Sequence, residues 1–365
     1  MTPLKSLLLG SALLLAPVSA NADSITKTDG TVLSGVTVVN EGLDAVTYKE
    51  GRASKSVPAG EVASVEFDAY PEDVDEALGY LAEGDAVTAL QVLEGYVDAQ
   101  VRKSSERRYK WAPAFAAHMT IVLHQRLFDL QGMKSAADRL IENYPKSRYL
   151  PEAYLALARA EAWLGDSGAA MATLDRLAEL VASEGLSEHW SREVALEKVA
   201  LDPEQTGPAK RAALADVAKA ASGDPVVWAQ ARVAEGESYL TEAEAAPAPK
   251  AKDLREKARR VFEDVIAKDG AGEEALAGAY AGLGDCMFFE GADADDEAIL
   301  KQAVTSYLRV VLSYPNQGQY VPKALFYAMR CFDLMGDRSR TRDMRRALLS
   351  LYGGTSWAER PEVKN

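Results

Sequence analysis

The sequence is poor in the residues from which metal sites and nucleic-acid interfaces are built. It contains only two cysteines and three histidines among 365 residues, which leaves little material for a cysteine–histidine metal site. Its 41 basic residues are outnumbered by 55 acidic ones, and a net charge of −14 argues against nucleic-acid binding, which needs a basic face. The sequence also lacks the nucleophile-elbow, zinc-protease, Walker and Rossmann motifs. We therefore expect no catalytic residues, no metal and no cofactor.

Long apolar runs are also scarce, and the one candidate lies at the start of the chain. Lys5 is the only charged residue before an apolar stretch at Leu7–Val18, which is followed by the small-x-small pattern Ala20-Asn21-Ala22. The stretch is shorter than the ~20 residues that a membrane-spanning helix needs. This layout predicts a secretory signal peptide over residues 1–22, followed by an exported, periplasmic or extracellular protein without membrane insertion.

Residues 23–69 have the pattern of a small β module. Short β-branched or alternating runs are separated by turns at Gly30, Gly42 and Gly51, which predicts five strands in a small, strongly bent antiparallel sheet or barrel. The pattern K-x-D-G-x-x-L-x-G, then V-x-Y, then S-V-P-x-x-E-V-x-S-V-E-F, resembles Sm-like or SH3-like barrels that are fused to repeat domains in envelope proteins. The resemblance implies a small five-stranded β-barrel-like module that serves packing or docking.

From Pro71 to about residue 352 the hydrophobic period becomes helical, and internal repeats appear. Three glycines are each followed five residues later by an alanine: Gly84 and Ala89, Gly132 and Ala137, Gly165 and Ala170. We expect each glycine to end the first helix of a helical hairpin, where a left-handed residue costs little. The helix-breaking pair Tyr144-Pro145 returns as Tyr314-Pro315 and, in altered form, as Tyr352-Gly353.

These features resemble tetratricopeptide repeats (TPRs), especially those of envelope-associated bacterial proteins. The resemblance covers residues 71–358 and implies a mainly α fold, a TPR-like α-solenoid of about seven helical hairpins, with a tail at 359–365. We expect the hairpins at residues 71–98, 105–144, 150–184, 187–222, 224–269, 272–314 and 319–352. The connections Thr241–Lys252 and Gly291–Glu297 are expected to be long, because the first is rich in alanine and proline and the second is acidic.

The TPR resemblance also implies a candidate partner-binding surface. In that architecture the first helix of each hairpin faces a concave groove, where an arginine can hold a carboxylate through paired hydrogen bonds. Arginines stand six residues before Gly132, Gly165 and Gly336, whereas Asp285 takes this place in the sixth hairpin. The candidate residues are Arg126, Arg159 and Arg330, with Trp163, Phe288, Phe289 and Phe326 as apolar contacts. The alternative is that these arginines are solvated or locally paired and that the aromatic residues are core.

The two cysteines invite a disulfide, since an exported protein meets oxidising conditions. Cys286 and Cys331 are 45 residues apart, each five residues before an expected turn glycine, Gly291 or Gly336. Equivalent positions on neighbouring helices lie about 8–10 Å apart, whereas a disulfide needs Cα atoms within about 7 Å. We expect two buried thiols, with a disulfide as the alternative.

The sequence as a whole favours a non-enzymatic scaffold or adaptor of the bacterial cell envelope, which binds a peptide or protein partner in the solenoid groove. Stacked hairpins bury a continuous core and expose a long curved surface that suits such binding. Two alternatives stay open, namely an accessory subunit or enzyme of cell-wall or glycan processing and a self-assembling structural component of the envelope. The enzyme alternative would need a nucleophile–base or carboxylate pair, which the sequence does not show in a recognisable setting.

Overall fold

Five antiparallel strands begin the described chain, and helices follow to its end. The structure is a computed structural model that describes residues 22–103 and 109–364, so the predicted signal peptide lies outside the described residues except for Ala22. The strands are β1 (Asp23–Lys27), β2 (Val32–Glu41), β3 (Ala45–Glu50), β4 (Ala53–Pro58) and β5 (Val62–Glu66). They form one sheet in the order β4-β3-β2-β1-β5, which confirms the five predicted strands.

The sheet is not closed into a barrel, so the predicted barrel-like closure is wrong. β4 and β5 are its two edges, and no pairing within the described residues joins them. β2 pairs with both β1 and β3, and a register shift between Val38 and Asn40 bends it between the two. After β5 the chain packs on the helical part, where the ring of Phe67 stacks on that of Trp111 with centroids 3.3 Å apart. Because helices bury apolar residues of this module, closure is not required to cover them.

Fourteen helices of the described residues form seven consecutive hairpins, as the sequence predicted. They are α1 (Glu72–Ala82), α2 (Ala86–Lys103), α3 (Ala112–Leu127), α4 (Leu130–Asn143), α5 (Leu150–Trp163), α6 (Ser167–Glu184), α7 (Glu188–Ala200), α8 (Gly207–Ala220), α9 (Pro225–Glu244), α10 (Ala248–Ile266), α11 (Glu273–Ala294), α12 (Glu297–Ser313), α13 (Val321–Leu334) and α14 (Arg338–Tyr352). A short helix, α15 (Pro361–Lys364), follows. We call the odd-numbered members α1 to α13 the A helices and the even-numbered members α2 to α14 the B helices.

A buried ion pair fixes the sheet to the helices. The Glu41 carboxylate, at the end of β2, accepts hydrogen bonds from Arg148 Nε at 2.5 Å and from the Tyr149 hydroxyl at 2.9 Å. The backbone N–H of Leu43 also donates to the carbonyl oxygen of Lys146 at 2.8 Å. The charge of Glu41 is therefore compensated in its buried position, and the sheet is held against the connection between α4 and α5.

The turn between the two helices of a hairpin is left-handed, as expected, at three glycines: Gly84 (φ 87°), Gly165 (φ 93°) and Gly336 (φ 74°). The expected turn at Gly132 is wrong. α3 ends at Leu127, the left-handed residue is Phe128 (φ 53°), and the Asp129 carboxylate caps α4 by accepting from the N–H of Gly132. Gly132 therefore lies in the first turn of α4, four residues after the left-handed residue, so the repeats align differently there.

The sixth hairpin shows a displacement of the same length in the opposite direction. α11 continues through Gly291 to Ala294, and the left-handed residue is Asp295 (φ 51°) rather than the glycine. Aspartate is one of the few non-glycine residues that adopt this conformation with little strain. The alignment on glycine is therefore four residues out of step in two of the seven hairpins.

The two connections that were expected to be long are short. α9 continues to Glu244 and α10 begins at Ala248, so residues 245–247 alone link them. Alanine is the best helix former, and Pro249 lies in the first turn of α10, where its missing N–H costs no hydrogen bond. The acidic run after Gly291 likewise begins in helix, and only Asp295 and Asp296 stand between α11 and α12.

The core is distributed along the array. Buried apolar side chains in the described ranges form six clusters rather than one, as expected when each repeat packs mainly on its neighbours. Cys286 and Cys331 belong to different clusters and are buried, free thiols. Across the described ranges no helix combines the length and the apolar character that a bilayer crossing requires.

Candidate partner-binding groove

The A helices share a face that carries two pockets. The first, which we call the carboxylate pocket, has a volume of about 370 Å³ and is lined from α3, α5, α7, α9 and α11 by side chains that include His118, Glu152, Arg159, His189, Trp190, Glu193, Gln230 and Glu274. The second, the aromatic pocket, measures about 550 Å³ and is lined from α9, α10, α11, α13 and the C-terminal segment by side chains that include Glu237, Arg255, Phe289, Tyr327, Trp357 and Arg360.

Spacing along α9 and α11 relates the two pockets to each other. Gln230 and Glu237 are seven residues apart on α9, and Glu274 and Asp285 are eleven apart on α11. Residues that are seven or eleven positions apart lie on nearly the same side of a helix, and the helix rises 1.5 Å per residue. The pockets therefore lie roughly 10–16 Å apart along one face.

The basic side chains of the carboxylate pocket already have partners within the chain. Arg159 Nε donates to Glu197 at 2.7 Å, and its NH1 donates to Glu274 at 3.1 Å, which joins α5, α7 and α11. A His118 ring nitrogen lies 2.6 Å from the Glu152 carboxylate, and His189 Nδ1 lies 2.8 Å from that of Asp224. The guanidinium and both imidazoles are thus engaged by acidic groups of the protein itself.

One acidic side chain in this pocket has only a distant partner, because the Oε1 of Glu193 lies 3.8 Å from His189 Nε2. Glu193 on α7 is 4% exposed, and its Oε2 has no hydrogen-bond partner. Burial is the main cause that raises the pKa of Glu193 to about 8, since the charged form loses its hydration. The carboxylates of Glu197 and Glu274 act in the same direction, whereas Arg159 opposes them. Glu193 is therefore largely protonated at neutral pH.

The aromatic pocket combines ring faces with cations. The Arg255 guanidinium lies 4.7 Å from the ring centre of Phe289, and that of Arg360 lies 4.1 Å from the ring centre of Trp357. At the base of the pocket Asp285, which is 3% exposed, pairs with Lys323 and accepts from the Tyr307 hydroxyl at 2.8 Å. Such a surface offers stacking and cation–π contacts to a side chain that enters it.

Two of the seven candidate residues line these pockets. Arg159 lines the carboxylate pocket and Phe289 the aromatic pocket. Phe288 and Phe326 are buried, at 6% and 1% exposure, in the packing between hairpins. Trp163 is 36% exposed and lies 5.6 Å from the ring of Phe128. That these residues contact a partner stays a prediction.

The other two arginines make contacts near the C-terminus. Arg330 NH1 donates to Glu362 on α15 at 2.6 Å. Arg126 NH1 donates to Asn316 at 3.3 Å, and the Arg126 carbonyl oxygen accepts from the Tyr352 hydroxyl at 3.2 Å. The end of α3 therefore touches the sixth and seventh hairpins, and the array turns back on itself around the two pockets.

The corrected turn positions explain why Arg126 and Asp285 do not correspond to Arg159. Five hairpins have a left-handed turn residue, and six residues before it stand Leu78, Val122, Arg159, Phe289 and Arg330. Val122, Arg159 and Phe289 line one of the two pockets, whereas Leu78 and Arg330 line neither, so the position faces a pocket only in the second, third and sixth hairpins. The capping aspartates would have supplied the better register, because Asp129, Asp166 and Asp337 each cap a B helix directly after the turn.

Sequence reasoning missed Glu193. The fourth hairpin lacks the TPR consensus, so no candidate was placed on it. Glu193 and Glu197 are four residues apart on α7, a spacing that puts two like charges on one helix face at a cost in stability. This pair of like charges on one face of α7 was the signal in the sequence that could have identified Glu193.

No protein-family model matches the chain, and no curated protein matches it. Solved structures do show similarity. One is a Rap protein complexed with competence and sporulation factor, at 12% identity and a TM-score of 0.41, with 79% of this chain and 77% of that chain covered. Another is Acl4, an assembly chaperone of RpL4, at 14% identity and a TM-score of 0.29, with 79% and 92% covered. The seven stacked hairpins themselves define the present chain as a helical-repeat protein.

Proposed function

We propose that the protein is a TPR-type adaptor that acts by binding, not by catalysis, and that it holds an extended segment of a partner protein across the two pockets. The observation that carries the proposal is the placement of both pockets on one face of the A helices, roughly 10–16 Å apart. At about 3.3 Å per residue, an extended segment of three to five residues spans that distance. Preorganised helices on both sides reduce the entropic cost of holding it.

We further propose that the chain works in the cell envelope after export. Support comes from the pattern of residues 1–22, with its apolar stretch and its Ala20-Asn21-Ala22 cleavage motif. Protein purified from the native cell should begin at Asp23 when its N-terminus is sequenced. Isolation of protein that retains residues 1–22 from the cytoplasmic fraction would contradict export.

Site-specific photocrosslinking tests the groove. A photoreactive amino acid at Val122 or Tyr327 would stand in the carboxylate or the aromatic pocket, whereas the same group at Leu312 would lie on a B helix at a position that is 76% exposed. We expect both pocket positions to capture the same partner in intact cells, with the yield at Leu312 at least tenfold lower. Equal capture from all three positions, or capture from Leu312 alone, would place the partner elsewhere.

A further inference from the structure

Two hydrogen-bond acceptors in the carboxylate pocket are buried and unused. Glu193 Oε2 is one, and the amide oxygen of Gln230 on α9 is the other. The orientation of the Gln230 amide is fixed, because its nitrogen donates to the Glu274 carboxylate at 3.3 Å and the opposite orientation would bring two acceptors together. Buried polar atoms are nearly always paired, so the Gln230 oxygen and the ionised form of the Glu193 carboxylate can both accept from a donor that enters the pocket.

The charge balance of the pocket indicates what kind of donor is missing. Three acidic side chains, Glu152, Glu193 and Glu274, line it together with the Arg159 guanidinium and the imidazoles of His118 and His189. That guanidinium is shared between Glu197 and Glu274 and does not reach Glu193 Oε2. A basic side chain that enters would therefore bring donors for the two acceptors and a counter-ion for the ionised form of Glu193.

The exposure of the lining side chains shows where a ligand can enter the carboxylate pocket. The side chains of Glu152 and His189 are 43% and 36% exposed and stand at the mouth, whereas that of Glu193 is 5% exposed and forms the floor. Trp190 also lines the pocket and offers an indole beside the path of an incoming side chain. The cavity of about 370 Å³ is a passage for one long side chain rather than for a folded surface.

We propose that the carboxylate pocket takes up a basic side chain of the partner segment, with Glu193 as its buried counter-ion and the Gln230 amide oxygen as a second acceptor. This inference rests on the proposed function and specifies the residue type that anchors the segment. A guanidinium presents several donors in a planar fork and can reach both acceptors, while an ammonium satisfies them as a point charge.

Proton release is a consequence of this arrangement. In the unliganded pocket several ionisable groups face Glu193. They are Glu197 and His189 on its own helix, Arg159 on α5, Asp224 at the start of α9 and Glu274 on α11. With a pKa of about 8, Glu193 is protonated there at neutral pH. A bound cation stabilises the carboxylate, so binding below pH 8 drives the proton from the Glu193 carboxyl to the buffer. At pH 6.5 close to one proton should be released for each basic side chain bound.

The probes are blocked single amino acids. Nα-acetyl-arginine N-methylamide is titrated into the full chain by calorimetry at pH 6.5, in two buffers of different ionisation enthalpy. The citrulline derivative, which replaces the guanidinium with a neutral urea, is the matched ligand control, and the lysine derivative tells guanidinium from ammonium. We expect the arginine or the lysine derivative to bind at least tenfold more tightly than the citrulline derivative, with release of about one proton.

Two variants locate the binding. Glu193→Gln should weaken binding of the basic probe at least tenfold and abolish proton release, whereas Glu188→Gln, on the same helix with its side chain 85% exposed, should bind as wild type. Circular dichroism confirms that both variants are folded. Equal binding of the arginine and citrulline derivatives, or wild-type binding by Glu193→Gln, overturns the assignment.

The crosslinked partner separates this inference from the function on which it rests. If Glu193→Gln captures the partner through Tyr327 in undiminished yield, no basic side chain anchors the partner and the inference fails, while the adaptor function stands. If the basic probe binds in a Glu193-dependent way but neither pocket position captures a partner, the adaptor function fails and the cation site stands.

Discussion

Lys323→Met is expected to lower the free energy of unfolding by about 3–5 kcal/mol. Lys323 on α13 pairs with Asp285 on α11, and Asp285 is 3% exposed. Without the ammonium, the buried carboxylate keeps only the Tyr307 hydroxyl as a donor. Burial already raises the pKa of Asp285, and Lys323 opposes that rise, so removal of the ammonium raises the pKa further and makes the charged form costlier. Urea denaturation followed by circular dichroism measures the loss.

Two comparisons show whether the loss comes from the buried charge. Lys301→Met removes an exposed partner of Glu297, where both side chains are more than 60% exposed, and should cost no more than about 0.5 kcal/mol. The double variant Lys323→Met, Asp285→Asn should recover most of the stability, because an asparagine amide oxygen still accepts from Tyr307 and carries no charge. A loss no larger for Lys323→Met than for Lys301→Met would show that the buried pair contributes little.

The hairpin number was predictable because it depends on local signals. Helix-breaking prolines and the hydrophobic period repeat along the chain, and each hairpin boundary follows from the few residues around it. The same holds for the five strands, whose glycine turns are visible in the sequence. Whether the sheet closes depends on distant contacts, such as the stacking of Phe67 on Trp111, and local pattern does not carry that information.

The sequence alignment of the repeats was wrong where a glycine is needed for close packing of helices rather than for a turn. Gly236 on α9 and Gly282 on α11 both face the ring of Phe262, and an added Cβ at either would lie within 2.5 Å of that ring. Glycine is unfavourable inside a helix by about 1 kcal/mol, so such positions mark close approach of neighbouring elements. A sequence pattern does not separate these glycines from turn glycines, and this is the physical reason that Gly132 and Gly291 misled the alignment.

The groove was harder to predict than the fold because its side chains come together from helices that are far apart in the sequence. Arg159 lines the carboxylate pocket, yet its guanidinium is occupied by Glu197 from α7 and Glu274 from α11. Those partners are 38 and 115 residues away in the sequence. The net charge of −14 is reflected locally in the carboxylate pocket, where three acidic residues and a single arginine line the cavity.

Glu193→Gln is expected to raise the free energy of unfolding at pH 8 by about 2–4 kcal/mol and to leave it nearly unchanged at pH 5. In the folded protein Glu193 has a pKa of about 8, against about 4.5 in the unfolded chain. Between these values the folded state holds one more proton than the unfolded state, so wild-type stability falls by up to about 1.4 kcal/mol per pH unit as the pH rises. Glutamine has nearly the shape of the protonated acid and does not titrate, so the variant lacks this loss.

The sign of the pH dependence separates this prediction from a general effect of removing an acidic residue. A depressed carboxyl pKa would make wild type lose stability on acidification, whereas the raised pKa of Glu193 makes it lose stability between pH 4.5 and 8 and level off above pH 8. Urea denaturation from pH 5 to 8.5 should therefore show wild-type and Glu193→Gln curves that diverge as the pH rises. Glu188→Gln, one exposed site on the same helix, should follow wild type throughout. Parallel curves for wild type and Glu193→Gln would mean that Glu193 is charged in the folded protein and has a counter-ion within the chain.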